Sequence, residues 1–169
     1  YWPTLIDSNR VTEHVHMAGK TTDVLPTQRL GFEEIYYQEV PATIAPAPTG
    51  DTVDIPLGRL FGTRSGDKGG AANCGVWART AEAYSFLYEF LTVEKFKELA
   101  SDMAAYEIER YEMSNLKALN FYIHDVLGEG VSSNHRIDKQ AKSFGEYLRA
   151  KTIQVPKVLV DQIGQDTAP

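Results

Sequence analysis

The sequence predicts an α+β fold in which amphipathic helices cover one sheet. Two observations support this prediction. The segments 81–91 and 93–103 repeat apolar residues at helical spacing, which gives each segment one apolar face. The segments 57–63, 74–78 and 106–112 are apolar or alternate between apolar and polar residues, as strands do. Because an apolar helix face and an apolar sheet face must bury each other, the two patterns together require a two-layer packing.

The composition is that of an ordinary globular domain and disfavours several classes of function. The 169 residues are 43% hydrophobic and 24% charged, with a net charge of −6. This acidic balance argues against a nucleic-acid-binding surface. No apolar run reaches the roughly 20 residues that span a bilayer, and no secretory leader is recognisable. The single cysteine, Cys74, cannot form an intramolecular disulfide, so we expect a cytoplasmic protein.

Residues 1–40 are expected to be an N-terminal segment, either the end of a larger domain or an appendage to one. Within it, Val11–Met17 and Phe32–Val40 alternate as strands do. His14 and His16 share one face of the first strand, a spacing that suits metal ligation. No third ligand lies nearby in the sequence, so we predict no metal site. The chain does not begin with methionine, which suggests a trimmed, processed or fragmentary chain.

A segment rich in proline and alanine, 41–54, is predicted to be a linker. Its three prolines within eight residues favour an extended tether with few side chains to bury. The compact domain is therefore expected over residues 55–160. A flexible tail is expected over 161–169.

Two helices are predicted to follow the second strand of the compact domain. Thr80 can cap a helix over Ala81–Phe90. Thr92 can begin a second helix, and Glu94 in its first turn complements the helix dipole. Tyr106–Glu112 then alternates as a half-buried strand does, which predicts a further strand of the sheet.

The segment Asn115–Leu127 is predicted to be a helix. Leu116, Leu119 and Ile123 have helical spacing, and Gly128 stands where a helix C-cap requires a positive φ. A strand over the same residues remains the alternative, because the segment is also rich in strand-forming residues.

The last part of the domain is predicted to contain a loop, a helix and a strand. Gly128–Asn134 reads as a second flexible polar loop. Asp138 can cap the helix that follows it. Ile153–Val155 is expected to close the sheet as a short strand, which Pro156 ends. The buried face of the predicted helix consists of Ala141, Phe144 and Leu148.

The strongest candidate for a functional segment is RSGDKGG, residues 64–70, which we interpret as an exposed loop between two strands. Its glycines allow backbone N–H groups to approach a bound group, and Arg64 and Lys68 add positive charge. The spacing is not that of a phosphate-binding Walker loop. The alternative interpretation is a turn that satisfies its own polar groups, with Asp67 and Lys68 as a weak surface pair.

Asn120 and His124 are the second candidate group. In the predicted helix they lie one turn apart on a face with apolar residues, so they need polar partners or a pocket. His124 could then transfer a proton, or both residues could be structural. Arg136 could clamp a carboxylate or phosphate. Cys74 as a nucleophile with His124 as its base is conceivable but disfavoured, because Cys74 begins a buried-looking strand.

Three separated stretches resemble one known family. RSGDKGGAANCGVWAR, ALNFYIHDVLGEGV and RIDKQAK occur in the order and spacing of the C-terminal domain of acyclic terpene utilisation (AtuA) proteins, over about Ile55–Ile153. The resemblance implies a ferredoxin-like two-layer sandwich with an antiparallel or mixed sheet, joined to a large N-terminal domain through the proline linker. It also implies a role in the catabolism of acyclic terpenoids through branched acyl-CoA intermediates. Cys74 and Asn134-His135 depart from the family pattern.

Two functions therefore remain open, and the sequence names no cofactor for either. The chain could be an enzyme domain that binds an acyl-CoA or carboxylate at RSGDKGG, or a non-catalytic assembly domain that docks a larger domain or sister subunits. The first hypothesis requires the segment and His124 to converge in one pocket. Its candidate catalytic residues are His124, Asp67 and Lys68; its candidate ligand-binding residues are Arg64, Ser65, Gly66, Gly69, Asn73, Asn120 and Arg136.

Overall fold

The computed structural model describes residues 6–7, 10–24 and 43–165, and the chain divides into two units, Tyr1–Pro41 and Ala42–Pro169. The described part of the first unit contains an antiparallel hairpin. Its strands, β1 (Glu13–Met17) and β2 (Lys20–Val24), are solvent-exposed along their whole length. β1 confirms the first predicted strand, whereas the predicted strand over 32–40 lies outside the described residues.

The second unit is a mixed α+β domain, which confirms the predicted fold class. A four-stranded sheet has the strand order β4-β5-β7-β6, and every neighbouring pair is antiparallel. Strands β3 and β8 form a separate antiparallel pair. The elements in chain order are β3 (Thr52–Pro56), β4 (Gly62–Lys68), β5 (Ala71–Trp77), α1 (Ala81–Phe90), α2 (Val93–Leu99), β6 (Ile108–Met113), β7 (Ala118–Ile123), α3 (Phe144–Arg149), β8 (Thr152–Pro156) and α4 (Lys157–Gln165).

One face of the four-stranded sheet, here called the inner face, packs against the helices. Alternate residues of β5 and β7 are fully buried on this face. The ring of Phe96 from α2 stacks on Phe121 of β7 with 4.4 Å between ring centroids. The amide of Gly145 in α3 donates to the Ser65 hydroxyl of β4 over 2.9 Å. The fully buried side chains of β5 and β7 are Ala72, Cys74, Val76, Leu119, Phe121 and Ile123.

The two predicted helix starts are confirmed. Helix α1 spans the predicted residues, and its N-cap Thr80 accepts a hydrogen bond from the amide of Ala83. Thr92 caps α2 in the same way, through the amide of Lys95. None of the helices in the described part of the chain is long and apolar enough to cross a membrane.

The predicted helix over Asn115–Leu127 is wrong: the alternative, a strand, is what forms there. In β7, residues alternate between buried and partly exposed, so Leu119 and Ile123 face the core. A spacing of four residues places two side chains on one face of a strand as well as of a helix. Leu116, the third residue of the assumed helical stripe, is 63% exposed and lies in a short 3₁₀ turn before the strand.

The interpretation of RSGDKGG as a loop is also wrong, because β4 continues through Lys68 and only Gly69 and Gly70 form the turn. Gly69 has φ +66°, which suits glycine. A Cβ added to Gly70 would overlap the carbonyl oxygen of Gly128, and the amide of Leu127 donates to the carbonyl of Gly70 over 2.8 Å. The turn is therefore packed tightly against the segment that follows β7.

The ends of the domain differ in detail from the prediction. β8 contains the predicted strand Ile153–Val155, but it pairs with β3 and does not join the four-stranded sheet. Helix α3 begins only at Phe144, and Asp138 caps the preceding turn by accepting from the amides of Lys142 and Ser143. Helix α4 occupies part of the expected tail. In the segment before β3, Ile44 packs against the core and the amide of Ala47 donates to Glu89, so these residues contact the domain.

Candidate functional site

The face of the sheet opposite the helices, here called the outer face, collects most of the polar residues of the strands. Strand alternation places Arg64, Gly66 and Lys68 of β4 on this face, because Ser65 lies on the inner face. The other strands contribute Asn73, Gly75 and Trp77 of β5, Ala118, Asn120 and Tyr122 of β7, and Glu109, Tyr111 and Met113 of β6.

His124 lies at one end of the outer face and is tied to β6. Its amide donates to the Glu107 carbonyl, and its Nε2 lies 2.6 Å from Oε1 of Glu109. The Tyr111 hydroxyl donates to the other oxygen of Glu109. Hydrogen bonds from Tyr111 and His124 lower the pKa of Glu109, and the bond to Glu109 raises the pKa of Tyr111. The imidazole is therefore held by a carboxylate, as in an acid–base pair.

The same end of the sheet offers a set of metal-ligand atoms. One ligand atom each of Glu107, Glu109 and His124 lies within 4.8 Å of the others. Two carboxylates and an imidazole are ligands that Zn²⁺ and Mn²⁺ accept. The two histidines of the N-terminal hairpin have other partners: His14 lies 2.7 Å from an Asp23 oxygen, and His16 lies 2.8 Å from the Thr21 hydroxyl.

The centre of the outer face contains the two candidate asparagines. The side-chain amide of Asn73 donates to the side-chain oxygen of Asn120 over 3.1 Å. The register places Arg64, Gly75, Asn120 and Tyr111 in one row across the four strands. The asparagines are thus partly buried and satisfy each other, while Arg64 is exposed.

The remaining residues of the RSGDKGG segment have different surroundings. Ser65 is buried, and its hydroxyl is used to hold α3. Asp67 lies on the opposite side of β4 from Lys68, with one carboxylate oxygen 3.9 Å from the ammonium of Lys142. That ammonium also lies 3.1 Å from where a side chain at Gly66 would begin. Gly66 therefore leaves room for the lysine at the edge of the sheet.

Arg136 lies in the loop before α3, apart from the outer face and from the RSGDKGG segment. Its guanidinium is 3.4 Å from Asp102 and sits over the ring of Phe144, at the edge of a cavity of about 340 Å³. The neighbouring Asp138 carboxyl is partly buried, which alone would raise its pKa. Hydrogen bonds from the Ser143 hydroxyl and from the Ser143 and Lys142 amides outweigh this effect and keep the pKa of Asp138 below its usual value.

The candidate residues thus form three groups. Arg64, Lys68, Asn73, Asn120 and His124 share the outer face. Asp67 and Ser65 lie towards α3, and Gly69 is at the turn. Arg136 belongs to the loop before α3.

Cys74 is a buried thiol. Desolvation by the surrounding core raises its pKa to about 12, so it is protonated at neutral pH. A protonated, buried thiol is a poor nucleophile, which argues against the Cys74–His124 alternative.

The partners of His124 are what the sequence analysis missed. The alternation of Tyr106–Glu112 does place Glu109 on the outward face of a strand. The signal for pairing this strand with the residues before His124 depends on the structure assigned to Asn115–Leu127, which the analysis predicted to be a helix. Had β7 been interpreted as a strand, a hairpin with β6 would have brought Glu109 and His124 together.

The antiparallel sheet with helices on one face defines a domain of the ferredoxin-like α+β class. The model of the AtuA ferredoxin-like domain family matches residues 55–154. Because this match covers more than half of the 169 residues, the chain belongs to the AtuA ferredoxin-like domain family. No curated protein and no solved structure matches the chain.

Proposed function

We propose that this chain is an assembly domain of an AtuA-type protein, and that its outer face packs against the large AtuA-type domain. The observation that carries the proposal is the exposure of large side chains on that face. Trp77 is 39% exposed, Tyr111 is 48% exposed and Met113 is 39% exposed. Aromatic residues and methionine are enriched at protein interfaces.

The outer face has the layout of an interface. At one end, Gly62, Trp77, Ala118 and Met113 form an apolar row across the four strands. Gly62 leaves room for the indole, since a Cβ at that position would overlap the ring. An apolar area bordered by polar groups is typical of protein–protein interfaces.

Several polar groups of the outer face are already paired with one another, so burial would not leave these groups without partners. Asn73 donates to Asn120, and Glu109 accepts from Tyr111 and is paired with His124. Burying a satisfied pair costs much less than burying an unpaired donor or acceptor. This pairing supports docking of the apolar row together with the paired groups beside it, and it does not extend to the exposed cations of β4.

The resemblance supports the choice of the large domain as the occupant, with sister copies of this chain as the second choice. On the same basis we place the protein in the catabolism of acyclic terpenoids and branched acyl-CoA compounds. A cytoplasmic location is part of this proposal, and the buried, unpaired thiol of Cys74 is consistent with a reducing compartment.

The test is a calorimetric titration of this chain with a separately produced large AtuA-type domain. Tyr111→Lys and Met113→Lys introduce charge into the outer face and should weaken binding at least about tenfold, as loss of interface anchors does. Ile137→Lys is the matched control, because Ile137 is also an exposed large apolar residue but lies elsewhere. Light scattering of the chain alone measures self-association. A monomer that does not bind the large domain would contradict the proposal.

A second candidate function, binding of an acyl-CoA or carboxylate ligand at β4, is favoured by the charges along that strand. Arg64 and Lys68 are exposed and form no ion pair with a described residue. Lys142 approaches Gly66 and lies only at the outer limit of pairing with Asp67. Cationic side chains along one edge strand can hold a phosphate or carboxylate group.

In this second candidate function, His124 with Glu109 as its partner is the group that can move a proton, and Lys68 and Asp67 flank the ligand. A thermal-shift screen with CoA thioesters tests it, since a ligand that binds only the folded state must raise the melting temperature. His124→Ala and Asp67→Asn then separate the roles. Loss of activity with unchanged melting supports a site, whereas a large fall in melting temperature indicates a structural network.

A further inference from the structure

Three arginines line a cleft next to Trp77, at the end of the outer face that carries the apolar row. Arg59 ends a 3₁₀ turn, Leu57–Arg59, Arg79 follows β5, and Arg149 is the last residue of α3. These side chains and Trp77 line a cavity of about 200 Å³. The arginines are far apart in the sequence, and the fold brings them together.

The cleft carries positive charge that the described residues do not neutralise. Arg149 lies 3.3 Å from Glu146, an exposed pair on the same helix. Arg59 and Arg79 form no ion pair or hydrogen bond with any residue described in the structure. A bound anion would pair with the guanidiniums of Arg59 and Arg79, for which the described residues supply no carboxylate.

Because Gly58 has no side chain, the side chain of Arg149 can pack against the turn at one side of the cleft. A Cβ at Gly58 would lie 2.7 Å from Nε of Arg149 and 2.9 Å from its Cβ. The arginine side chain therefore lies directly on the backbone of the Leu57–Arg59 turn. This packing holds the guanidinium of Arg149 near the cleft that Arg59 also lines.

A partly apolar cavity adjoins the cleft. Arg59, Leu60 and Arg79 line both spaces, and the second space has a volume of about 120 Å³. Its other lining residues are the apolar Ala83, Leu159 and Ile163 and the polar Thr80 and Gln162. A ligand that fits both spaces has an anionic group for the arginines and a short apolar portion for the cavity.

We infer that Arg59, Arg79 and Arg149 form a binding site for a small molecule that carries a carboxylate or phosphate group on a short apolar chain. Arginine binds both anions through paired N–H donors, so the two share one recognition chemistry. The site adjoins the outer-face interface at Trp77, and the probe titrations and the titration with the large domain test the two proposals independently.

The experiment is a calorimetric titration of the intact chain with four probes. Hexanoate and hexyl phosphate carry the anion and the apolar chain, acetate lacks the chain, and hexylamine reverses the charge. We expect one or both of the first two to bind, acetate to bind at least about tenfold more weakly because it buries fewer methylene groups, and hexylamine not to bind. The preference between hexanoate and hexyl phosphate identifies the anion.

Substitutions then test whether the arginines of the cleft bind the anion. The double variant Arg59→Gln, Arg79→Gln should weaken binding of the preferred anion at least about tenfold, since each guanidinium supplies charge-assisted hydrogen bonds. The control, Lys97→Gln with Lys139→Gln, removes the same charge elsewhere and should bind as the wild type does. Melting curves without ligand check folding, and Arg79→Gln alone serves if the double variant is unstable. Failure of both anions to bind, equal binding of hexylamine, or wild-type binding by the arginine variant would overturn the inference.

Discussion

The two faces of the four-stranded sheet differ in what they contribute, although they alternate along the same strands. In β7, Leu119, Phe121 and Ile123 are fully buried against the helices. Asn120 and Tyr122, between them, lie on the outer face and are partly exposed. Stability therefore depends mainly on the inner face, which leaves the outer face available for recognition. Substitutions at neighbouring positions of one strand should have very different consequences.

The largest expected effect comes from the inner face. Phe121→Ala removes a fully buried ring that stacks on Phe96, and we expect a loss of about 3–5 kcal/mol in the free energy of unfolding. The matched control on the outer face, Tyr122→Ala, should cost roughly 1 kcal/mol or less. Urea unfolding measures both, and equal losses would contradict the assignment of the two faces.

The second effect concerns the turn between β4 and β5. Gly70→Ala places a methyl group against the backbone carbonyl of Gly128, which a side-chain rotation cannot relieve. We expect a loss of roughly 2–3 kcal/mol. The methyl group of Gly69→Ala meets no atom within 4 Å. We expect a loss of about 1 kcal/mol, because alanine is strained at the φ of +66° that this residue adopts. Thermal unfolding of the two variants compares them, and a larger loss at Gly69 would show that the turn is packed differently.

The fold could be predicted from the sequence where one periodicity dominates. The spacing of the apolar residues in α1 and the capping residue Thr80 suit only a helix, and both the helix and its cap are confirmed. The stretch around Leu119 and Ile123 fits a helix and a strand equally well, because a spacing of four satisfies both. Only the pairing of β7 with β5 and β6 decides between them, and that pairing is a property of the whole sheet.

The residues of β4 were predicted to form a loop for a different reason, which is their composition. Gly66 and Lys68 resemble loop residues, yet Gly66 is in a strand, at a position that the ammonium of Lys142 approaches. The three arginines of the cleft come from distant parts of the chain, and Glu109 reaches His124 only through the pairing of β6 with β7. No local pattern connects them, so the sequence could suggest individual site residues but not their neighbours.

A smaller effect on stability is expected at Asp138, which caps the turn before α3. Its pKa is below the usual 3.8, so its contribution to stability is present above that pH and is lost as the pH falls through the lowered pKa. Asp138→Asn should cost about 1 kcal/mol at neutral pH, because one of the two carboxylate oxygens that accept the capping hydrogen bonds becomes an NH₂ group. Melting temperatures from pH 7 to pH 2 should show the difference between variant and wild type shrinking in acid. A constant difference would mean that the charge of Asp138 is not what stabilises the turn.

The smallest effect is expected on the outer face, at the Glu109 carboxylate. Hydrogen bonds from Tyr111 and His124 lower its pKa below 4.5. Any stabilisation by this carboxylate is thus present above pH 4.5 and lost as the pH falls through the lowered pKa. Tyr111→Phe should raise the pKa of Glu109 towards 4.5 with little change in melting temperature. Titration of the carboxyl by NMR measures this, and an unchanged pKa would show that the hydroxyl does not reach Glu109 in solution.

The most direct test of the proposed assembly role is the accessibility of Trp77. The chain has two tryptophans, so Trp2→Phe leaves Trp77 as the sole tryptophan fluorophore. Its exposed indole should be quenched by acrylamide in the isolated chain and protected when the large AtuA-type domain is added. Equal quenching with and without the large domain, at concentrations where the two bind, would show that the outer face is not the surface they share.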